Sequence, residues 1–219
     1  MNEEMKKKYG IFHTLKYLWK GQTMARILMN KALSQQTLRG VIVDIGGGRN
    51  PDYFQYLRHD TENKIKAIDG SMDGIDFEKD RLPFENNSVD TVLLCNVLEH
   101  IYNHKFLLSE ILRIMRPNGQ IIGFVPFWVG YHADPHDYFR YTDECLIRIF
   151  NEVGFKDTKI ERIGGGSFLG NFNNVVLSVP RFMRPILYFP YMTLNTIFLK
   201  VRPESVKRNP LGYLFTARN

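Results

Sequence analysis

The chain is 219 residues long, 44% hydrophobic, and carries a formal net charge of +6. That length and apolar content suit one α/β domain with a sizeable core and exclude a disordered chain. The excess of base admits anionic partners (nucleic acid, phosphate groups, lipid headgroups) without choosing among them.

Taken in chain order, the N-terminal stretch ending at Lys8 carries acids and no apolar run close behind it, which argues against a secretory signal. Residues 10–37 repeat apolar side chains at helical spacing, from Ile11 and Leu15 to Leu28 and Leu33, and predict one or two amphipathic helices. Residues 41–45 read as a buried strand, 50–59 as a helix with Asn50 as cap and Pro51 in its first position, and 64–68 as a second strand. Asp73–Phe77 reads as a short third strand or its remnant, and Asp90–Asn96 as a fourth, apolar on both faces. A helix over 104–115 turns Phe106, Leu107, Ile111, Ile114 and Met115 inward, and Pro117, Asn118 and Gly119 turn the chain into a fifth strand, Gln120–Pro126. Thr142 caps a helix through Val153 that Gly154 stops, and strands follow at Lys156–Ile163 and 211–217. Cys95 and Cys145 fall in predicted core elements and read as buried thiols of a reducing compartment.

The segment from Val41 to Pro51 is the most informative. An apolar strand carrying Asp44 runs into Gly46, Gly47 and Gly48. Glycines directly after a strand let the backbone turn tightly and approach a ligand, and the next helix start favours negative or polar groups there. Pro51 stands where the dinucleotide fingerprint needs its third glycine, and no Gly-Lys-Ser/Thr follows, so a diphosphate ligand is disfavoured. Asp69 lies about 20 residues on, the spacing of a ribose-binding carboxylate. The competing reading of Asp69 is a helix cap ahead of Ser71.

With Asp44 to Gly48, Asp69, Asp76–Phe77, Leu82 to Asp90, Asn96 to His100 and Glu110 to Gly119 in this order, residues 38–163 resemble the class I S-adenosylmethionine-dependent methyltransferases, in the small-molecule group carrying D-x-G-x-G. Asn118 departs from the glycine usual in that group, a change that left-handed turn geometry tolerates. The resemblance implies a Rossmann-like three-layer α/β/α sandwich. Its seven-stranded, mostly parallel sheet has the order 3-2-1-4-5-7-6 and an antiparallel last strand. It implies S-adenosylmethionine as cofactor, held by Asp44, Gly46, Gly47 and Gly48, by Asp69 and Gly70 at the ribose, by Asp76 and Phe77 at adenine, and by Asn96 and Val97. On this reading the chain is a single domain over 1–219, with residues 1–38 a helical lid over the cofactor.

A second cluster follows the fifth strand. His132, His136, Asp137, Tyr138, Arg140 and Tyr141 crowd one loop on the ligand side of such a sheet. His136 can take a proton from an attacking hydroxyl, Arg140 can fork onto a phosphate or carboxylate, and Tyr138 can face the sulfonium. His100 is either a base or a structural histidine at a helix start. The loop can instead form a self-satisfied polar corner in which Asp137 bonds Arg140. Metal-ligand spacing is absent, so no metal is expected; His132, His136 and Asp137 form the alternative set. The run from His136 to Thr142 resembles one in methyltransferases associated with bacterial or archaeal surface-glycan synthesis, and it makes a small-molecule or glycan acceptor the preferred one. An RNA or protein acceptor, or a non-catalytic scaffold, are the alternatives, and no aromatic-plus-basic signature favours nucleic acid.

Residues 164–210 form an apolar insertion between the last two strands. Its longest apolar piece, Pro185–Leu199, is shorter than a membrane span, and Pro190 and Asn195 are expected to interrupt it. It reads as two helices covering the sheet edge or a dimer face. Alternatively it is a peripheral membrane surface through 181–202, with Phe182, Met183, Leu187, Tyr188 and Phe189 beside basic residues, or a substrate-pocket wall. The basic residues gather at Lys6–Lys8 and at Arg181, Arg184, Lys200, Arg202, Lys207 and Arg208. A cytoplasmic monomer or homodimer, or one peripheral at the inner membrane face, is the expectation.

Overall fold

The computed structural model describes residues 9–48, 51–58 and 65–219; Lys6–Lys8 and the Asn50 cap lie outside them. The apolar runs form a six-stranded sheet: β1 (Ile42–Ile45), β2 (Ile65–Ile68), β3 (Val89–Cys95), β4 (Met115–Pro126), β5 (Lys156–Ile163) and β6 (Gly212–Arg218), in the order β2-β1-β3-β4-β6-β5. β1 pairs in parallel with β2 and β3, and β3 with β4. The last strand runs against β4. The Trp128 N–H donates to the Leu211 carbonyl and the Asn219 N–H to that of Gly119, so numbers rise on one strand as they fall on the other. Every residue of β1 is buried, whereas β2 at the edge buries only Ile68.

This is the Rossmann-like arrangement without its expected third strand. Instead of Asp73–Phe77, the chain forms one helical turn, α3 (Gly70–Asp73), which ends at Gly74 in the left-handed region (φ +69°). Phe77 is buried, and this apolar side chain gave the segment its strand-like look. The expected helix over 50–59 is a short 3-10 turn, Asp52–Tyr56, preceded by extended Pro51; Leu57 returns to extended backbone and Arg58 bridges to Thr37. β4 begins early, at Met115, and residues 116–119 loop out within it, because Val89 pairs with Met115 while Thr91 already pairs with Gln120. Asn118 there adopts φ +64°.

The helices follow their caps. α4 (His104–Ile114) buries Leu107, Leu108, Ile111 and Ile114, while Phe106 stays half-buried. In α5 (Asp143–Val153) the Thr142 hydroxyl accepts from the Cys145 N–H at 3.2 Å, acids occupy the first turn, and Gly154 closes the helix at φ +110°. Its inward stripe is Leu146, Ile149 and Phe150. Cys145 falls on the opposite face and is exposed, contrary to the expectation of two buried thiols; Cys95 is buried.

The chain groups into two compact units. One holds the sheet up to Glu161, α3 to α5, and Tyr213–Asn219. The other gathers the N-terminal helices α1 (Ile11–Trp19) and α2 (Met24–Leu33), Trp128–Gly130, and Arg162–Gly212. The latter segment contains α6 (Ser167–Val175), α7 (Met183–Val201) and α8 (Ser205–Arg208). Within this second unit Leu18, Met24 and Ile27 pack with Leu169, Phe172 and Val176, and the Ala25 N–H donates to Asn173. α7 continues through Pro190 and Asn195 without breaking. Asn195 is buried, accepting from the Leu169 N–H and donating to the Gly165 carbonyl, so it joins α7 to α6 instead of ending a helix. No helix among the described residues is long and apolar enough to cross a membrane.

Candidate active site

The parallel strands β1, β3 and β4 point their carboxyl ends toward one edge of the sheet, where an open α/β sheet binds ligands. After β1, Gly46 and Gly48 adopt φ +75° and +70°, a region that side chains disfavour. A Cβ on Gly46 would stand 2.6 Å from Val97 Cγ2, whereas one on Gly48 would meet nothing within 4 Å among the described residues. Among the described residues, Gly48 thus leaves its backbone open to a close ligand approach.

Gly47 is glycine for another reason. Its absent Cβ would lie 2.1 Å from Asp44 Oδ2 and 2.2 Å from the Tyr53 hydroxyl. Asp44 is fully buried, and Tyr53 donates to its two carboxylate oxygens at 2.7 and 2.8 Å. The pair locks the glycine loop from beneath.

Asp69 ends β2 and does cap α3. Its Oδ1 accepts from the Ser71 hydroxyl (2.6 Å) and from the N–H groups of Ser71 (3.0 Å) and Met72 (3.2 Å). The Ser71 hydroxyl, then the Met72, Ser71 and Gly48 N–H groups, hold its carboxyl below the usual aspartate range. The Gly48 bond ties the glycine loop to the end of β2. Gly70 is close-packed, since a Cβ would meet the Ile75 carbonyl at 2.9 Å. Asp76 accepts from the Glu78 N–H and pairs with Lys79 at 2.8 Å, while Phe77 is buried in the core, not open as a flat face. Asn96 ends β3 in the left-handed region (φ +55°), and Val97 is buried against Gly46.

The loop after β4 is split between two uses. Asp137 accepts two bonds from the Arg140 guanidinium, at 2.6 and 2.7 Å, and one from the His132 N–H at 2.9 Å. Arg140 first, and the His132 N–H with it, hold its carboxyl far below the ordinary range. The fork expected for an acceptor anion is thus spent on Asp137. His100 turns Nδ1 to the His136 carbonyl, and its side chain is mostly buried. His136 and Tyr138 are exposed, with rings 5.2 Å apart, and Tyr138 meets the exposed Tyr102 edge-on at 5.4 Å.

One residue outside the expected site joins one from the alternative metal set. Glu99 is fully buried beneath the loop, and His132, not His136, approaches it. The signal for Glu99 in the sequence was position, an acid directly beyond the carboxyl end of β3, and for His132 its place in the polar loop cluster after β4.

The doubly wound sheet, the glycine loop at its carboxyl edge and the carboxylate ending the neighbouring strand define an S-adenosylmethionine-dependent methyltransferase fold. Residues 43–123 match the family model described as a methyltransferase domain. That match and the fold together support a class I S-adenosylmethionine-dependent methyltransferase with S-adenosylmethionine as its cofactor. Among solved structures it is similar to an S-adenosylmethionine-dependent methyltransferase of Archaeoglobus fulgidus (18% identity, 90% of this chain and 92% of that one, TM-score 0.51). One of Thermotoga maritima is also similar (11%, 98% of each, TM-score 0.54). The phosphoethanolamine N-methyltransferase 2 of Haemonchus contortus aligns over 87% of this chain and 52% of its own length (17%, TM-score 0.52). A search of curated protein sequences returns no match to the chain.

Proposed function

We propose that the protein transfers a methyl group from S-adenosylmethionine to an oxygen or nitrogen of a small molecule, with a sugar or a lipid- or nucleotide-linked glycan as the preferred acceptor. The observation that carries the acceptor class is the exposed aromatic set of Tyr102, His136 and Tyr138 on the loop side of the sheet. Exposed rings offer flat apolar faces to a sugar. Gly46 to Gly48 would face the methionine moiety, Asp69 the ribose hydroxyls, and Asn96 and Val97 the crevice floor. When bound, the cofactor supplies an activated methyl electrophile. The chain's own work is then orientation, and the exposed imidazole of His136 would take the acceptor's proton.

Calorimetry with S-adenosylhomocysteine tests the cofactor half. Asn caps a helix as Asp does, so Asp69→Asn preserves α3 but replaces a carboxylate oxygen with an amide. Binding that is saturable in the parent and much weaker in Asp69→Asn supports the assignment; equal binding by both removes Asp69 from it. Labelled methyl transfer to sugar-nucleotide, lipid-linked glycan and amine panels tests the acceptor. Turnover on amines alone would replace the glycan reading.

A membrane-peripheral location is the second part of the proposal, and it favours anionic lipid. On α7 and just before it, Phe182, Ile186, Phe189, Ile197 and Val201 are exposed, and Arg181, Lys200 and Arg202 beside them are exposed too. Leu187 and Tyr188, expected on that surface, pack inward. Arg184 is likewise buried, donating to the Val179, Leu177 and Leu18 carbonyls. Sedimentation with anionic vesicles that Phe189→Glu abolishes is the expected result. No sedimentation at low salt would end this reading.

A further inference from the structure

Glu99 sits in the 3-10 turn Leu98–His100 that leaves β3. Its side chain is fully buried, and neither carboxylate oxygen accepts a hydrogen bond among the described residues. A carboxylate taken out of water without donors is unfavourable unless a cation meets it. The Arg140 guanidinium acts on it through space, but its hydrogen bonds go to Asp137 and to the Phe139 carbonyl.

Two imidazoles converge on the same oxygen. His100 Nε2 lies 3.7 Å from Glu99 Oε1, and His132 Nε2 lies 3.9 Å from it. Both separations are too long for hydrogen bonds. They suit two ligands of one ion, because atoms about 2.0–2.1 Å from a tetrahedral centre stand roughly 3.4 Å apart. One ligand atom from each of the three residues falls within 4.8 Å of the others.

The outer contact of His100 agrees. Histidines that bind metals direct their other ring nitrogen to a carbonyl or carboxylate. His100 Nδ1 faces the His136 carbonyl, which leaves Nε2 to ligate. Asp137 Oδ2, 3.6 Å from His132 Nδ1, is the acceptor to which that nitrogen would turn its proton on metal binding, in place of its 3.5 Å contact with the donor Arg140 Nη2. The His132 side chain is 40% exposed, so the cluster is open to solvent on that side.

We propose that Glu99, His100 and His132 bind one divalent first-row transition-metal ion. Two imidazoles and one carboxylate favour such an ion over Mg2+ or Ca2+, which seek oxygen. An open coordination position on the ion would take an oxygen of the acceptor. That last step rests on the methyl-transfer reading; the metal site does not.

The test uses the full-length protein stripped with chelator and titrated with Zn2+ and with Co2+, beside Mg2+ and Ca2+ controls. The expected result is one equivalent of Zn2+ per chain and a visible Co2+ absorption band. His132→Ala and Glu99→Gln should each weaken Zn2+ binding by more than the roughly 10–100-fold that loss of an outer partner costs. Circular dichroism confirms the fold of each variant, and His132→Ala, at a half-exposed side chain, carries the test if Glu99→Gln does not fold. Absence of saturable Zn2+ and Co2+ binding overturns the proposal. So does Zn2+ binding unchanged in His132→Ala, or binding of Mg2+ or Ca2+ as tight as that of Zn2+. S-adenosylhomocysteine titrated into the same samples separates the two readings: its failure with Zn2+ binding intact removes the methyl-transfer reading and leaves the metal site.

Discussion

Two carboxylates are buried at the carboxyl edge of neighbouring strands, and they are treated in opposite ways. Asp44 in β1 receives the Tyr53 hydroxyl across both its oxygens, and the glycine loop closes over that pair. Glu99, just past β3, is buried as completely, and its carboxyl receives no hydrogen bond among the described residues. Burial costs a carboxylate its hydration in either place. The first recovers the loss inside the protein and acts as scaffold for the loop. The second has two histidine nitrogens near it, spaced for a shared ligand. A buried acid with its donors in place fixes structure, and one left without them marks chemistry.

The largest expected effect breaks the Asp44 side. Gly47→Ala puts a methyl 2.1 Å from Asp44 Oδ2 and 2.2 Å from the Tyr53 hydroxyl, and both side chains are buried and cannot swing aside. The overpacking should cost about 1–3 kcal/mol in urea unfolding. S-adenosylhomocysteine binding should fall with it, because the loop is displaced. Retained stability and binding would mean that the loop is not built on this pair. Next comes Tyr53→Phe, which removes the donor and leaves Asp44 charged and buried. Loss of a hydrogen bond to a charged group should cost roughly 1.5–3 kcal/mol by denaturant titration.

A third buried carboxylate calibrates the other two. Glu110 on α4 accepts two bonds from Arg113, at 2.6 and 2.8 Å, and one from the Leu82 N–H at 3.0 Å. Arg113 first, then the Leu82 N–H and Arg81, hold its carboxyl below the ordinary glutamate value. A carboxyl whose pKa is lowered by folding stabilises the fold above its unfolded value, about 4.3, and that contribution fades as pH falls through the lower folded value. Glu110→Gln should therefore cost about 1 kcal/mol at neutral pH. The gap between parent and variant should close below about pH 4. A gap independent of pH would assign the loss to packing.

The fold was legible where local rules act alone. Thr142 and Gly154 bound α5 as their chemistry requires, and Gly46 and Gly48 take the positive φ that glycine permits. Legibility ended where a tertiary contact decides. Phe77 looked like strand because it is buried in the core, and Pro190 and Asn195 looked like breakers because nothing local reveals that Asn195 joins α7 to α6. Asp69 met both readings at once in its position, and its capping role is the one its hydrogen bonds display. In the second loop, the choice of His132 over His136 depends on which ring turns inward. Glu99 declares itself only through what surrounds it in space.

The smallest expected effect is the sharpest separation. Glu99→Gln replaces a carboxyl group that accepts no hydrogen bond among the described residues with an amide of the same shape. With metal stripped, the variant loses no hydrogen bond that Glu99 makes among the described residues, so its unfolding midpoint should fall less than that of Tyr53→Phe. With Zn2+ added in excess, a ligand that binds only the folded state should raise the parent's midpoint and leave the variant's unchanged. Two effects on one side chain are thereby distinguished, the cost of holding a bare carboxylate and the gain from meeting it with a cation. A Glu99→Gln chain destabilised as much as Tyr53→Phe in the metal-free state would show that Glu99 is scaffold after all, and the contrast with Asp44 would dissolve.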